Sequence, residues 1–563
     1  MAGSAVKAAE KKVIVIFVQF QDLSFTTPQA EFKAFTDSLS LYFNDQFHGD
    51  PAYSFDAGPV VTLGRKYSYY GANDSSQSDV LMYQGVEEAC RAVADSINFA
   101  DYSNGSESSV RDVLIMVPGQ SEELSGDKNL FRPQYVSLID RNSYLFLDGR
   151  RITDYALCCE LGPDGGFSGI GDMAHEYSHI LGLKDLYDTD GEGSGGLSKA
   201  LWGRTALMDK GNTNMGGHIP PNYNAADFFT LGKGKGEVLD SAGHYTLRPI
   251  SEEGHYYIFK GPAEGEVFLM ECREDKGWDS GIGGSGMLIY HYDRSEGDAL
   301  WSDYYSSSLT ASQRWTHNQL NCNPAHQCVE LEAPDEDHAF FPSGNNVDFT
   351  SETTPAFRFW DGTPSPLAVT GIRHNGDRSV SFNLVKPLAI LPPIPFQTSV
   401  IMQWECDGSI EVDSCAVRCY SGGNQVTALR GTRNQDGGWG CYVRGLSPNT
   451  SYVFTILLYR HGKAIYSGET RATTLSQRKG MFPFIHLNYP DRNPDGSFPK
   501  GSRIPLQVFN ASDARLIAWF YDNFNVSAGT DGLFTLEKSG ILSARIYWED
   551  GSCDIIQKTI TVR

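Results

Sequence analysis

The period of the apolar positions changes along this chain, and the changes divide it into parts. Near its start KKVIVIFVQFQD sets an unbroken apolar run between charged residues, the pattern of a strand buried on both faces. Thr27-Pro28 then predicts a helix start, with threonine as N-cap and proline at the first helical position. Phe32, Phe35, Leu39 and Phe43 follow at helical spacing and are expected in the core. A helix over about residues 79–97 and a strand at 113–117 continue an α/β alternation. Asp148-Gly149, set between YLFL and RRITDYALCCEL, predicts a two-residue hairpin. From about 245 to 384 short alternating strands replace the helices. KPLAILPPIPF, 386–396, reads as a proline-rich extended linker and marks a boundary. Beyond it VIMQWE alternates about Trp404, and from about residue 477 short strands are separated by the turn clusters NPDGS, SAGTDG and EDGS. Trp519 is the expected core residue of that last part.

Within the α/β part, residues 175–185 read HEYSHILGLKD, a spacing of HExxHxxGxxD. Residues four apart stack on one helix face, so His175 and His179 point two imidazoles at one metal ion. Glu176, rotated beside that pair, is placed to hold a water at the metal as general base. Gly182 is free to take positive φ and end the helix, which lets the chain turn back and deliver Asp185 as third ligand. Two imidazoles, a carboxylate and a water make an open tetrahedral site, for which zinc is the usual occupant. HExxH alone is short enough to arise by chance, and the helix phase decides the matter. Ile170, Met173, Ala174, Tyr177 and Leu181 share one face with Ile180 at its edge, and the two histidines fall opposite.

HEYSHILGLKDLYD, followed by Trp202 and by ALMD with Met208, resembles the immune inhibitor A family of zinc metallopeptidases (peptidase family M6). These are metzincins, in which a methionine-containing turn lies beneath the metal. The resemblance implies zinc held by His175, His179 and Asp185, with Glu176 as base and Met208 in the turn. Most metzincins use a histidine as third ligand, and the aspartate points to this family. An anionic ligand there also lowers the net charge of the site and somewhat reduces its electrophilicity. NYNAADFFTLGKGKGEVL is similar to the stretch after the turn, with Lys233 where tryptophan is usual. Residues 268–293 are similar as well, so the resemblance spans about 12–384. By the same resemblance, the hairpin segment around Asp148-Gly149 is the candidate for an edge strand that pairs with extended substrate; structural pairing alone accounts for it equally. An oxyanion donor is expected too; Tyr187 and Tyr223 are nearby in sequence but neither is assigned.

Three other groups of residues carry alternatives. Asp188, Asp190 and Glu192, in LYDTDGEGSGG, have the oxygen-rich chemistry of a calcium loop without the spacing of an EF-hand, and a solvated acidic turn accounts for them equally. Glu271, Arg273, Asp279, His291 and Asp293 read either as a second site or as buried ion pairs. The eleven cysteines contain no CxxC; Cys322 with Cys328, and Cys406, Cys415, Cys419 and Cys441 in one later domain, are disulfide candidates of undetermined pairing.

Composition narrows the function. With 69 acidic and 46 basic residues the formal charge is -23, which repels a phosphate backbone and excludes nucleic-acid binding. No run of eighteen apolar residues is present, so no membrane-spanning segment is expected. MAGSAVKAAEKK has no apolar core of an export signal, whereas the resembled family is exported; the expectation is a secreted, periplasmic or cell-surface protein trimmed of a signal peptide and a propeptide. GLSPNTSYVFTILL resembles a fibronectin type III domain, with Trp404 on an early strand and Tyr452 as its corner tyrosine.

The expected fold is therefore multidomain: an α/β metzincin-like catalytic domain at 1–240, a β-rich subdomain at 241–386, and two all-β immunoglobulin-like sandwiches at 387–475 and 476–563. The expected function is a zinc endopeptidase acting on protein or peptide. The alternative is an adhesive surface protein that binds protein or glycan through its C-terminal domains and carries a vestigial peptidase domain.

Overall fold

The computed structural model describes residues 9–74, 78–198, 203–334, 338–407, 410–433, 437–476, 482–487, 492–549 and 551–563. Two compact units emerge: Met1–Asp361 with Ala368–Val385, and Gly362–Leu367 with Lys386–Arg563.

In the first unit five strands form a mixed sheet: β1 (Lys11–Gln19), β2 (Tyr53–Thr62), β3 (Val113–Gln120), β4 (Gln134–Ser137) and β5 (Asp154–Leu161). Their order is β2-β1-β3-β5-β4, parallel throughout except for β4, which runs antiparallel at the edge. The unbroken apolar runs are explained by two cores, one on each face. Val13, Val15 and Phe17 enter one core, and Ile14, Ile16 and Val18 the other. The first core is closed by α1 (Gln29–Gln46), through Phe32, Phe35, Leu39 and Phe43, and by α3 (Gly171–Leu181). The second is closed by α2 (Met82–Val93).

Helix α1 begins one residue later than expected, with Pro28 at the N-cap position. Thr27 does not cap it. The buried Glu160 carboxylate instead accepts the amides of Thr26 and Thr27 at 2.7 and 2.6 Å and the amide of Gly119 at 3.0 Å, tying this turn to the sheet. The Asp148-Gly149 hairpin forms, with φ of 48° and 72° at its two turn residues. The hairpin belongs to a short three-stranded sheet, in which Arg150–Ile152 lies between Ser109–Val110 and Phe146–Leu147 and the last is an edge. Further along the same segment β5, apolar on both faces, is interior: it lies between β3 and β4, and the edge of the large sheet there is β4.

The later part of the unit carries a five-stranded sheet of β6 (Lys235–Val238), β7 (His255–Lys260), β8 (Glu266–Arg273), β9 (Gly286–Asp293) and β10 (Val329–Leu331), in the order β10-β9-β8-β7-β6. Glu271, Arg273 and Asp279 form one ion cluster there, and Arg273 has no solvent exposure. Its guanidinium also donates to the carbonyls of Thr205 and Asn222, both at 3.2 Å. Glu271 accepts the Ala225 amide and Asp279 the Asn222 amide, so the cluster clamps residues 205 and 222–225 to the sheet. His291 and Asp293 do not join it: they pair with Glu266 and His326.

The second unit holds two β-sandwiches. In one, Leu388–Ile390 and Ile394–Pro395 pair with Ser399–Cys406, so the proline-rich segment is strand rather than linker. Trp404 is fully buried, and the Tyr452 hydroxyl accepts the Ser447 amide at 2.8 Å, the corner expected of that tyrosine. In the other, Ala514–Tyr521, Gly540–Trp548 and Cys553–Ile560 pair in sequence. Trp548 is the buried tryptophan of this sandwich, and Trp519, expected in that role, is only partly covered. All eleven cysteines are free thiols, including the six suggested for pairing. No helix among the described residues is long and apolar enough to cross a membrane.

Candidate metal centre

Helix α3 positions the first two expected ligands because its two faces differ. Ile170, Met173, Ala174, Tyr177 and Ile180 are buried in the core shared with α1, and the Tyr177 hydroxyl anchors the helix by donating to Asp112 Oδ1 at 2.8 Å. Gly182 ends the helix at φ 115°, its amide donating to the carbonyls of Ser178 and His179. A side chain would be strained at that angle. The reversal brings Asp185 back against the histidines.

The geometry at the three residues is closed on one side and open on the other. His175 Nδ1 lies 2.9 Å from the Leu207 carbonyl, and His179 Nδ1 3.0 Å from the Leu183 carbonyl. Both Nδ1 atoms therefore carry the proton and donate it to main chain, which leaves the lone pair at Nε2. The two Nε2 atoms converge on Asp185 Oδ1 at 3.1 and 3.3 Å. Three atoms each about 2.0–2.1 Å from a tetrahedral zinc stand about 3.3 Å apart, so the donor set fits the ion in kind and in spacing. Electrostatics ask for a cation in the same place. Burial disfavours a charged His175, yet Asp185, with Glu176 and the Leu207 carbonyl, outweighs it and lifts the imidazole to about 9. With no ion bound a proton therefore sits between Nε2 and Asp185, and a metal would take its place. Burial opposes ionisation of Asp185, and the two imidazoles still hold it well below the usual carboxylate range.

A second layer fixes these ligands. Asn318 donates to Asp185 Oδ2 at 2.7 Å and accepts the Asp185 amide at 2.9 Å. Asn321 donates to the Leu186 carbonyl at 2.8 Å. Met208 is fully buried, and its carbonyl accepts the Leu186 amide at 2.8 Å, so one turn supports both the His175 ring and the loop of the third ligand. Trp202 lies outside the described residues.

Glu176 is 7% exposed, and burial pushes its carboxyl up to about 7. It lines a cleft of about 580 Å³ together with His175, Tyr187, Asp172, Asp209 and Asn212. Tyr187 is exposed, with its ring stacked 6.5 Å from that of His175. Tyr223 faces the core, its hydroxyl 2.6 Å from Ser178 Oγ, and is closed to the cleft.

The loop after Asp185 does not gather the three acids expected for calcium. Asp188 and Asp190 approach one another with Cys322 as the third group, and Glu192 is exposed and apart. The turn closes on its own main chain: Asp188 Oδ1 accepts the amides of Asp190 and Gly191, and its Oδ2 accepts that of Ser198. That closure turns Glu192 outward.

Sequence reasoning missed Asn318 and Asn321, about 133 residues beyond the loop they hold. Their one sequence signal is the dense run of amide side chains in HNQLNCN.

No family model and no curated protein matches the chain. Solved structures similar to parts of the chain include fibronectin type III and immunoglobulin-like domains. The Ig1-2 module of a Drosophila receptor protein tyrosine phosphatase is 12% identical, matches 31% of this chain and 99% of its own, and has a TM-score of 0.21. A fibronectin type III domain of human fibronectin type III domain containing protein 3 is 16% identical over 16% of this chain and 86% of its own, with a TM-score of 0.13.

Proposed function

We propose that this protein is a zinc-dependent endopeptidase of the metzincin kind, secreted or displayed at a surface, similar to the immune inhibitor A peptidases. The observation that carries the reading is the convergence of two Nε2 atoms on Asp185 Oδ1 beside a buried glutamate, with His175 and Glu176 lining an adjacent cleft. His175, His179 and Asp185 would hold the ion. Bound there, zinc supplies Lewis acidity that polarises a carbonyl and acidifies water.

The chain's own residues do the rest. Glu176 takes a proton from water at its carboxylate and passes it to the departing amine. A carboxyl raised toward neutrality is suited to both halves of that transfer. Tyr187, which lines the cleft with its hydroxyl near Asp185, is a candidate donor to a developing oxyanion, and Tyr223 faces away. Among the described residues β4 pairs only with β5, and its Tyr135 ring lies 6.2 Å from His179; the free edge is suited to an extended peptide.

Cleavage of an unfolded protein by wild type and by Glu176→Gln, with zinc measured in both, tests this. The variant is expected to keep its zinc and lose activity by about 10²–10⁴-fold. Equal cleavage by the two proteins overturns the reading.

One observation favours an additional adhesive role for residues 387–563. Phe484 and Phe509 are exposed and stacked 5.6 Å apart, an apolar platform of the kind that sugar rings cover. Glycan-array binding by the full chain that is unchanged in Phe509→Ser removes this role.

A further inference from the structure

The five-stranded sheet carries a second convergence of ligand atoms that the peptidase reading does not use. Register pairs Glu330 of β10 with His291 of β9, and His291 with Phe268 of β8. Residues opposite one another, and residues two apart, share a sheet face. Glu266, His291, Glu330 and Glu332 therefore lie on one face across three strands.

The histidine is held as a metal ligand is held. It is 3% exposed, its ring stacked on Phe268 at 4.1 Å and on Trp360 at 4.8 Å. Its Nε2 lies 2.8 Å from Glu266 Oε1, which also accepts the Trp360 amide at 2.8 Å. An imidazole that donates Nε2–H to a carboxylate presents a lone pair at Nδ1, as in the carboxylate-histidine pairs behind metal ions. That atom makes no hydrogen bond among the described residues; Glu332 Oε1 stands 3.6 Å away. One ligand atom from each of His291, Glu330 and Glu332 lies within 4.8 Å of the other two.

Charge is unbalanced there. Among the described residues neither glutamate pairs with a lysine or arginine, unlike Glu271 and Asp279, which share Arg273. Two carboxylates and a lone pair facing one another repel unless a cation or a proton stands between them.

We propose that His291, Glu330 and Glu332 form a second divalent-metal site, structural in role, for an ion that accepts one nitrogen and two or more oxygen donors, such as Zn²⁺ or Mn²⁺. The ion ties β10 to β9. The Val329 amide of β10 donates to Asn321 Oδ1 at 3.0 Å, and Asn321 in turn holds Leu186, so the tie braces the wall behind Asp185.

The test uses the full chain carrying His175→Ala and His179→Ala, which removes the first site. It is loaded with Zn²⁺ or with Mn²⁺, dialysed and assayed by inductively coupled plasma mass spectrometry. One ion per chain is expected to remain with at least one of the metals, and to be lost when Glu330→Gln and Glu332→Gln are added. Retention of neither metal by a protein with native circular dichroism overturns the proposal, as does retention unchanged by the two glutamine substitutions. Should those substitutions prevent folding, anomalous diffraction at the zinc edge from wild-type crystals decides. A peak beside His291 Nδ1 upholds the site, and its absence overturns it whatever is found at His175.

Discussion

The clusters at His175–His179–Asp185 and at Glu271–Arg273–Asp279 are both buried and both touch the segment around residues 205–208, yet they are built to opposite ends. At the second, a guanidinium spreads its donors over two carboxylates and two carbonyls, and the carboxylates collect further amides from Ala225 and Asn222. Every charge there meets its opposite within the protein. At the first, the imidazole protons are directed backward to Leu207 and Leu183, and the remaining lone pairs face a carboxylate oxygen. A buried ion cluster that is complete holds the fold. One held together by a proton that a metal ion can replace is suited to a ligand.

Substitutions can break this contrast. The largest effect is expected for His179→Ala, which removes one of the three proposed ligands and, on the zinc reading, should abolish stoichiometric zinc in the purified chain. Zinc retained at the wild-type ratio, read by inductively coupled plasma analysis, sinks the assignment. Arg273→Met should destabilise the first unit by about 3–5 kcal/mol, because it strands two buried carboxylates. Replacing Glu271, Arg273 and Asp279 together by Leu, Met and Leu should recover much of that loss in urea unfolding, and a harmless single variant breaks the comparison. Asn318→Ala leaves all ligands in place but frees Asp185 to rotate; zinc affinity in a chelator competition should fall about 10–100-fold.

The smallest effect sharpens the contrast from a third acid. Among the described residues Asp79 makes no ion pair with a guanidinium or an imidazole; it accepts the Arg132 amide and the Gln134 side chain, and burial raises its carboxyl to about 7. Its folded pKa lies above the ordinary aspartate value, so its contribution to stability is complete below about pH 4 and is lost as pH rises toward 7. Asp79→Asn should flatten the stability profile across that window, measured as urea midpoints from pH 4 to 8. An unchanged slope shows that Asp79 does not titrate there.

Sequence spacing was sufficient where local geometry governs. The four-residue interval of His175 and His179 and the glycine at 182 fix a helix, its face and its end, and the unbroken apolar runs of 13–18 and 113–117 fix buried strands. It was insufficient where distant segments compete. Thr27 had the chemistry of an N-cap, but Glu160, from a strand 133 residues later, captured its amide. The 154–161 run could be read as an edge or an interior strand until β4 was seen beside it. Asp188, Asp190 and Glu192 alternate as cation ligands do, but main-chain closure of the turn separates the third from the first two.

Asn318 has a practical consequence for anyone who wishes to cut this protein down. A fragment ending near residue 240 would contain the helix, the proposed base and the three proposed ligands, and by a motif search it would look complete. It would lack the amide that orients Asp185 and the one that holds Leu186, both supplied from beyond residue 310. The smallest portable form of this centre is therefore the first unit whole, and a shorter piece would carry the ligands without the frame that aims them.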